Sequence, residues 1–223
     1  SYDGVLEALG RSQVLPYLKK LSENDIRFFL VSFEKKVNRH NTPPENIKRS
    51  LAVSDISWFQ MRYHKRPAVL STCMDIMSGL AVCLYIFFRH RPKIIHARSY
   101  VAGLIAWFFK KIFCVKFIFD MRGFWADERV EGRIWDDKNY LYKIAKKVEK
   151  RLLESADEVV VLTEKAKNIL KNWGYNVDKV SVIPCCVDTV FFKFNSESRA
   201  KLRVLYGLED KFIFAHTGSL EFW

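Results

Sequence analysis

Short apolar runs alternate with helical patterns along almost the whole chain of 223 residues. The runs are nearly continuous in apolar residues, which is typical of strands buried on both faces. This alternation predicts an α/β fold with a Rossmann-like, doubly wound parallel sheet. The predicted strands are Arg27–Phe33, Ile56–Tyr63, Lys93–His96, Val115–Asp120, Glu158–Leu162, Lys179–Ile183 and Phe212–Ala215.

The segments between the strands predict helices, with two polar loops at Asn41–Pro44 and Gly123–Asp136. The longest uncharged run, Ile76–Phe88, has 13 residues. A membrane-spanning helix needs ~20 residues, so we predict no transmembrane helix. The first predicted helix begins after Ser12, which would be its N-cap, and the last runs from Thr163 to Trp173. The others are Ile47–Val53, Ser71–Arg91, Tyr100–Phe113 and Asn139–Ser155.

The net charge of +12 predicts a negatively charged partner. No nucleic-acid-binding motif is present, so we expect no nucleic acid. Basic residues beside aromatic ones at Phe87–Lys93 and Trp107–Lys111 predict contact with an anionic membrane surface, with plain solvated helix faces as the alternative. The five cysteines and five histidines lack metal-ligand spacing, so we expect no metal site. The cysteines also show no disulfide framework, so we expect reduced thiols. Reduced thiols indicate a cytoplasmic protein, or one that is peripheral on the inner face of the membrane.

Ligands of parallel α/β sheets bind at the carboxyl ends of the strands. The densest set of polar side chains follows the strand that ends at Asp120. Asp120 and Arg122 leave that strand on alternate residues and can face the same side, so both are catalytic candidates. Carboxylates there can orient a sugar hydroxyl or act as a base, and guanidinium groups can neutralise phosphate. A salt-bridged surface loop is the alternative. Other candidates for substrate binding at strand ends are Arg98, Asp127, Glu128 and Glu164.

The opening loop, Asp3–Gln13, contains Gly4 and Gly10 and leads into a helix. Backbone amides beyond Ser12 could hold a phosphate there. Neither GxGxxG nor GxxxxGK[ST] occurs in the chain. An ordinary loop before a capped helix is therefore an equal alternative.

Several stretches, in chain order, are similar to one known family. Taken together, they resemble the N-terminal half of glycosyltransferase family 4, whose GT-B fold consists of two facing Rossmann-like domains. At the position where many members have a histidine, this chain has Asp120 and Arg122. The matching stretches are Ser1–Gly4, Leu9–Leu18, Leu30–Lys35, Ile95–Tyr100, Phe119–Glu128, Ala156–Glu164, Val182–Asp188 and Gly218–Leu220.

The resemblance implies an acceptor-side domain over residues 1–187, with its first strand missing before Ser1. Residues 188–223 would be a linker and the start of a C-terminal donor-binding domain. The implied activity is retaining transfer of a hexosyl group from a nucleotide-sugar to a glycan or lipid-linked acceptor, as in polysaccharide biosynthesis, with no cofactor. The 223-residue piece alone is expected to be inactive.

The same resemblance assigns Gly10, Arg11 and Ser12 to a loop facing the donor phosphates, and Gly218 and Ser219 to substrate binding. A different class of function stays open. A non-catalytic nucleotide-binding or membrane-docking module could be built on the same fold.

Overall fold

The computed structural model describes residues 1–2, 4–35, 44–64, 68–190 and 192–216. It confirms the predicted α/β class, because helices alternate with strands that pair in parallel. The chain divides into two compact units, Ser1–Cys185 and Cys186–Trp223. The assignment of residues 1–187 and 188–223 to two enzyme domains, and the missing first strand, stay predictions.

The strands are β1 (Phe28–Glu34), β2 (Ile56–Arg62), β3 (Ile94–Arg98), β4 (Lys116–Asp120), β5 (Glu158–Val161) and β6 (Val180–Val182). The helices are α1 (Ala8–Gln13), α2 (Leu15–Ser22), α3 (Pro44–Val53), α4 (Ala68–His90), α5 (Tyr100–Phe113), α6 (Trp125–Glu131), α7 (Tyr140–Ser155), α8 (Glu164–Asn172) and α9 (Ser196–Leu205).

Two parallel sheets hold the strands, where the sequence predicted one. The first pairs β1 with β2, from Phe28 opposite Ile56 to Glu34 opposite Arg62. The second has the order β3-β4-β5-β6. Within the described residues no ladder of backbone hydrogen bonds joins the two sheets, because β1 and β2 pair only with each other.

The larger core lies between the second sheet and its helices. Phe117 and Phe119 on β4 are fully buried and pack with Leu152 on α7. A Cβ atom on Gly103 of α5 would come within 2.7 Å of Leu152 Cδ1. Helix α5 therefore packs closely against α7, and this contact fixes the helix layer behind β3 and β4.

Three expected local features are wrong. Helix α6 occupies part of the predicted polar loop Gly123–Asp136. Ser12 does not cap a helix: it lies inside α1, and its hydroxyl donates to the Ala8 carbonyl at 2.9 Å. No strand forms over Phe212–Ala215, because a strand requires a partner ladder and the described residues supply none there.

Helix α4 matches the predicted helix Ser71–Arg91, but its apolar length exceeds the 13 uncharged residues of the sequence argument. Over Leu70–His90 it is long and apolar enough to cross a membrane by length and composition. Counting only uncharged residues underestimated the length of the apolar helix, because Asp75 and Arg89 are single charged residues within it. In the structure α4 packs on β1, β2 and α5, yet only 22% of the window is buried.

Candidate functional site

A charged pair lies at the carboxyl ends of two adjacent strands. Arg98 is the last residue of β3 and Asp120 the last of β4, and the strand register places them opposite each other. Both are buried, Asp120 with 7% of its surface exposed. Because ligands of parallel sheets bind at this edge, the structure brings two of the sequence-predicted residues to one place.

Arg122 follows in a strained turn. Its φ angle is +64°, in the left-handed region that residues other than glycine rarely adopt. The Gly123 amide donates to the Met121 carbonyl at 2.8 Å, so Arg122 is the central residue of a three-residue turn. Strain of this kind costs about 1–3 kcal/mol and concentrates at functional sites.

Gln13, at the end of α1, joins the two arginines. Its side-chain oxygen accepts a hydrogen bond from Arg98 Nη2 at 3.1 Å and another from Arg122 Nη2. Arg122 Nη2 also lies 3.3 Å from Cys185 Sγ. Sequence reasoning missed Gln13 as a site residue; its place beside Arg11 and Ser12 was the only signal.

The Asp120 carboxylate has two nitrogen neighbours, on His96 and Arg122, but incomplete hydrogen bonding. His96 Nε2 lies 3.7 Å from Oδ2, and Arg122 Nη1 lies 3.8 Å from Oδ1. Oδ1 is buried and accepts no hydrogen bond from the described residues. A buried carboxylate oxygen normally has a donor, so this atom is suited to accept one from a ligand hydroxyl.

Three amides of the opening loop and of the turn after α1 donate to groups within the protein. Those of Val5 and Leu6 donate to the Glu34 carboxylate at 2.9 and 3.1 Å, and that of Val14 donates to the Gly10 carbonyl. These three amides are therefore occupied, while phosphate binding by other amides beyond Ser12 stays a prediction.

The glycine at position 10 has a packing role. A Cβ on Gly10 would lie 2.4 Å from the Gly4 carbonyl oxygen. Arg11 is half-buried and Ser12 is exposed. Their contact with donor phosphates stays a prediction.

The remaining predicted residues lie apart from the pair formed by Arg98 and Asp120, as far as the structure describes them. The Glu128 carboxylate lies over Gly123, where a Cβ would be 2.3 Å from Oε1. Glu164 is exposed at the start of α8. Gly218 and Ser219 lie outside the described residues.

Asp127 belongs to a network behind the strand ends. Lys146 Nζ donates to Asp127 Oδ2 at 2.8 Å and also to Glu149, which is 1% exposed. The Tyr100 hydroxyl donates to the other Glu149 oxygen. Burial, followed by the charge of Glu149, raises the pKa of Tyr100 far above its ordinary value. Asp127 therefore helps to hold α6 against α7.

An apolar cavity of about 250 Å³ opens beside Arg122. It lies at the carboxyl ends of β4 and β5, and the side chains of Arg122 and Lys165 bring positive charge to it. The cavity could accept a small apolar or sugar-sized group. Its other lining residues are Met121, Gly123, Phe124, Val161, Leu162, Thr163, Ala166 and Ile169.

Metal ligation has no candidate in the part of the chain that the structure describes. No group of three or more His, Cys, Asp or Glu side chains there could hold a metal ion.

Comparison with known proteins gives a matching family and several similar structures. The profile of Glycosyltransferase Family 4 matches residues 38–191. A search of the curated proteins gives no significant match.

Among the similar structures are crystal structures of Anabaena Alr3699/HepE in complex with UDP, with UDP and glucose, and with UDP-glucose. Their TM-scores are 0.54, 0.56 and 0.56, at 12%, 13% and 12% identity. Each match covers 94% of this chain, which spans about half of the length of those chains. At this identity the likeness shows the fold alone, and it confirms the Rossmann-like, GT-B class.

Proposed function

The chain belongs to glycosyltransferase family 4, and on this premise we propose that it is the acceptor-side part of a retaining glycosyltransferase. The full-length protein would transfer a hexosyl group from a nucleotide-sugar to a glycan or lipid-linked acceptor, without a cofactor. The Anabaena protein in complex with UDP-glucose supports a nucleotide-sugar as donor.

The observation that carries the proposal is the cluster of Asp120, Arg98 and Arg122 at the ends of β3 and β4. Transfer from a nucleotide-sugar releases a nucleoside diphosphate, whose developing charge needs preorganised donors. Two guanidinium groups held by Gln13 meet that need. The unbonded Asp120 oxygen can orient an acceptor hydroxyl. In this proposal Arg122 and Asp120 are the catalytic residues.

Substrate contacts are proposed for the other residues that the sequence singled out. Arg98 would contact the phosphates directly. The other residues proposed to bind substrate are Gly10, Arg11, Ser12, Asp127, Glu128, Glu164, Gly218 and Ser219.

We expect the 223-residue chain alone to show no sugar transfer, because the family resemblance assigns donor binding to the C-terminal domain. The test measures nucleoside diphosphate release from UDP-glucose and other nucleotide-sugars, for this chain and for the full-length protein. Turnover by the 223-residue chain would contradict the expectation. Nucleotide binding without any turnover in the full-length protein would favour the non-catalytic module instead.

A membrane partner is proposed from the outer face of α4. Leu70, Met74, Met77, Tyr85 and Phe88 are exposed at helical spacing, so they form a continuous apolar stripe. Arg89, Arg91 and Lys93 lie at its C-terminal end, and Lys111 lies on α5 close to Phe113, whose ring contacts Phe88. Apolar side chains beside positive charge suit the surface of an anionic bilayer. A cytoplasmic protein peripheral on the inner face of the membrane agrees with this proposal.

We expect the protein to sediment with vesicles that contain phosphatidylglycerol and much less with pure phosphatidylcholine. The double variant Met77→Glu/Phe88→Glu should lower the affinity about 10-fold or more, because each buried side chain contributes roughly 1.5–3 kcal/mol. Ile134→Glu, at an exposed apolar residue outside α4, is the matched control. Equal sedimentation with both lipids would count against an anionic surface.

A further inference from the structure

A buried carboxylate on α4 holds a histidine beyond the end of β2. Asp75 is 0% exposed. Its Oδ1 lies 2.6 Å from His64 Nδ1, and its Oδ2 accepts from the His64 amide at 3.2 Å and from the Tyr2 hydroxyl at 3.0 Å. Both the backbone and the ring of His64 are therefore tied to one carboxylate.

Burying the carboxylate of Asp75 costs free energy of desolvation. The rest of α4 between Leu70 and Phe88 is uncharged, and an apolar residue at position 75 would remove the cost of desolvating a carboxylate. The hydrogen bonds of Asp75 go to Tyr2 and His64. The visible effect of the carboxylate is to fix the position of the imidazole ring of His64.

The other ring nitrogen faces outward. The His64 side chain is 38% exposed, and its Nε2 makes no hydrogen bond within the described residues. A neutral ring that donates from Nδ1 to a carboxylate carries its lone pair on Nε2. A group arranged in this way accepts a hydrogen bond from a hydroxyl.

Helix α1 links this edge to the Asp120 cluster. The residues just before α1 donate to Glu34 at the end of β1, and Gln13 at its other end binds Arg98 and Arg122. The helix has six residues, so it is about 9 Å long. His64 follows Arg62, the strand partner of Glu34. Helix α1 thus connects the end of β1, beside the strand that leads to His64, with the Asp120 cluster.

We propose that His64 is an acceptor-binding residue, whose Nε2 accepts a hydrogen bond from a sugar hydroxyl, and that Asp75 and Tyr2 are positioning residues for its ring. The proposal rests on the proposed function, because it extends the acceptor site from β3 and β4 to the end of β2. It names a hydroxyl-bearing sugar, not an anion, as the group bound there.

The test uses the full-length protein with ¹⁵N-labelled histidine and n-octyl β-D-glucoside as the probe. We expect His64 to show a protonated Nδ1 and an unprotonated Nε2, and the Nε2 signal to shift when the glucoside is added. A shift produced by inorganic phosphate and not by the glucoside would overturn the proposal.

A pair of variants separates binding from folding. His64→Asn keeps an amide donor for Asp75 and removes the outward nitrogen. It should weaken glucoside binding about 5-fold, the effect of one lost hydrogen bond, with an unchanged thermal melt and unchanged UDP-glucose binding. His216→Asn, at an exposed histidine, is the control. Unchanged glucoside binding by His64→Asn would refute the inference.

The proposed function is judged separately by sugar transfer. Weaker glucoside binding in a protein that never transfers sugar would retain the site and reject the transferase. Normal transfer with normal acceptor KM in His64→Asn would reject the site and retain the transferase.

Discussion

Replacing Asp120 by asparagine in the full-length protein is expected to lower kcat/KM for sugar transfer by at least ~10²-fold, the low end for a positioned base or orienting group. The carboxylate is 7% exposed, and its Oδ1 accepts no hydrogen bond from the described residues. A carboxylate has two acceptor oxygens, whereas the amide of asparagine has only one. The amide therefore cannot accept from a substrate hydroxyl with one oxygen and face His96 or Arg122 with another. Steady-state transfer measured beside a thermal melt checks this.

Asp137→Asn provides the matched control, since Asp137 is an exposed aspartate on the same segment between β4 and α7. It should leave both the rate and the melt unchanged. If Asp120→Asn transferred sugar at a near-normal rate with a normal melt, the turn after β4 would be a scaffold and the catalytic assignment would fail.

Lys146→Met is expected to lower the free energy of unfolding by about 3 kcal/mol, because it leaves the buried Glu149 carboxylate without its cation. For a domain of this size such a loss corresponds to a fall in Tm of roughly 6–12 °C. Burial by itself would lower the pKa of Lys146, but hydrogen bonds to Asp127 and Glu149 outweigh it and raise that pKa above 10.5. The stabilisation is therefore complete below about pH 10.5 and is lost as the pH rises through the folded-state pKa.

The control is Lys147→Met, the exposed neighbour on α7, whose Tm should hardly change. The double variant Lys146→Met/Glu149→Leu should recover part of the loss, since an apolar pair replaces an unpaired buried charge. A Tm for Lys146→Met equal to that of Lys147→Met would show that the network contributes little to stability.

Most of the fold of the first unit follows from hydrophobic pattern. The strand that ends at Asp120 was predicted to within one residue. Its pattern, with apolar side chains such as Phe117 and Phe119 close together, can be read from the local sequence alone. Helix α6 was missed because its sequence is short and polar. Its position depends on the contact of Trp125 with Tyr100, which belongs to α5, and on the packing of Trp125 against Trp135 just after α6.

The candidate site was predictable only in its outline. The rule that ligands bind at strand ends locates Arg98, Asp120 and Arg122 without any coordinates. Gln13 reaches them from 85 and 109 residues away, and no periodicity relates such positions. The pairing of His64 with Asp75 is likewise a tertiary contact between a strand-end loop and a helix.

The order β3-β4-β5-β6 follows the order of synthesis, so each strand of the second sheet finds its partner in the strand made just before it. At each step only the segment that joins a strand to the preceding strand must form a closed loop. The entropy cost of closing a loop rises slowly with its length. Contacts between near neighbours in sequence also favour rapid folding. This half of the first unit can therefore assemble one βα segment at a time while the chain is still leaving the ribosome.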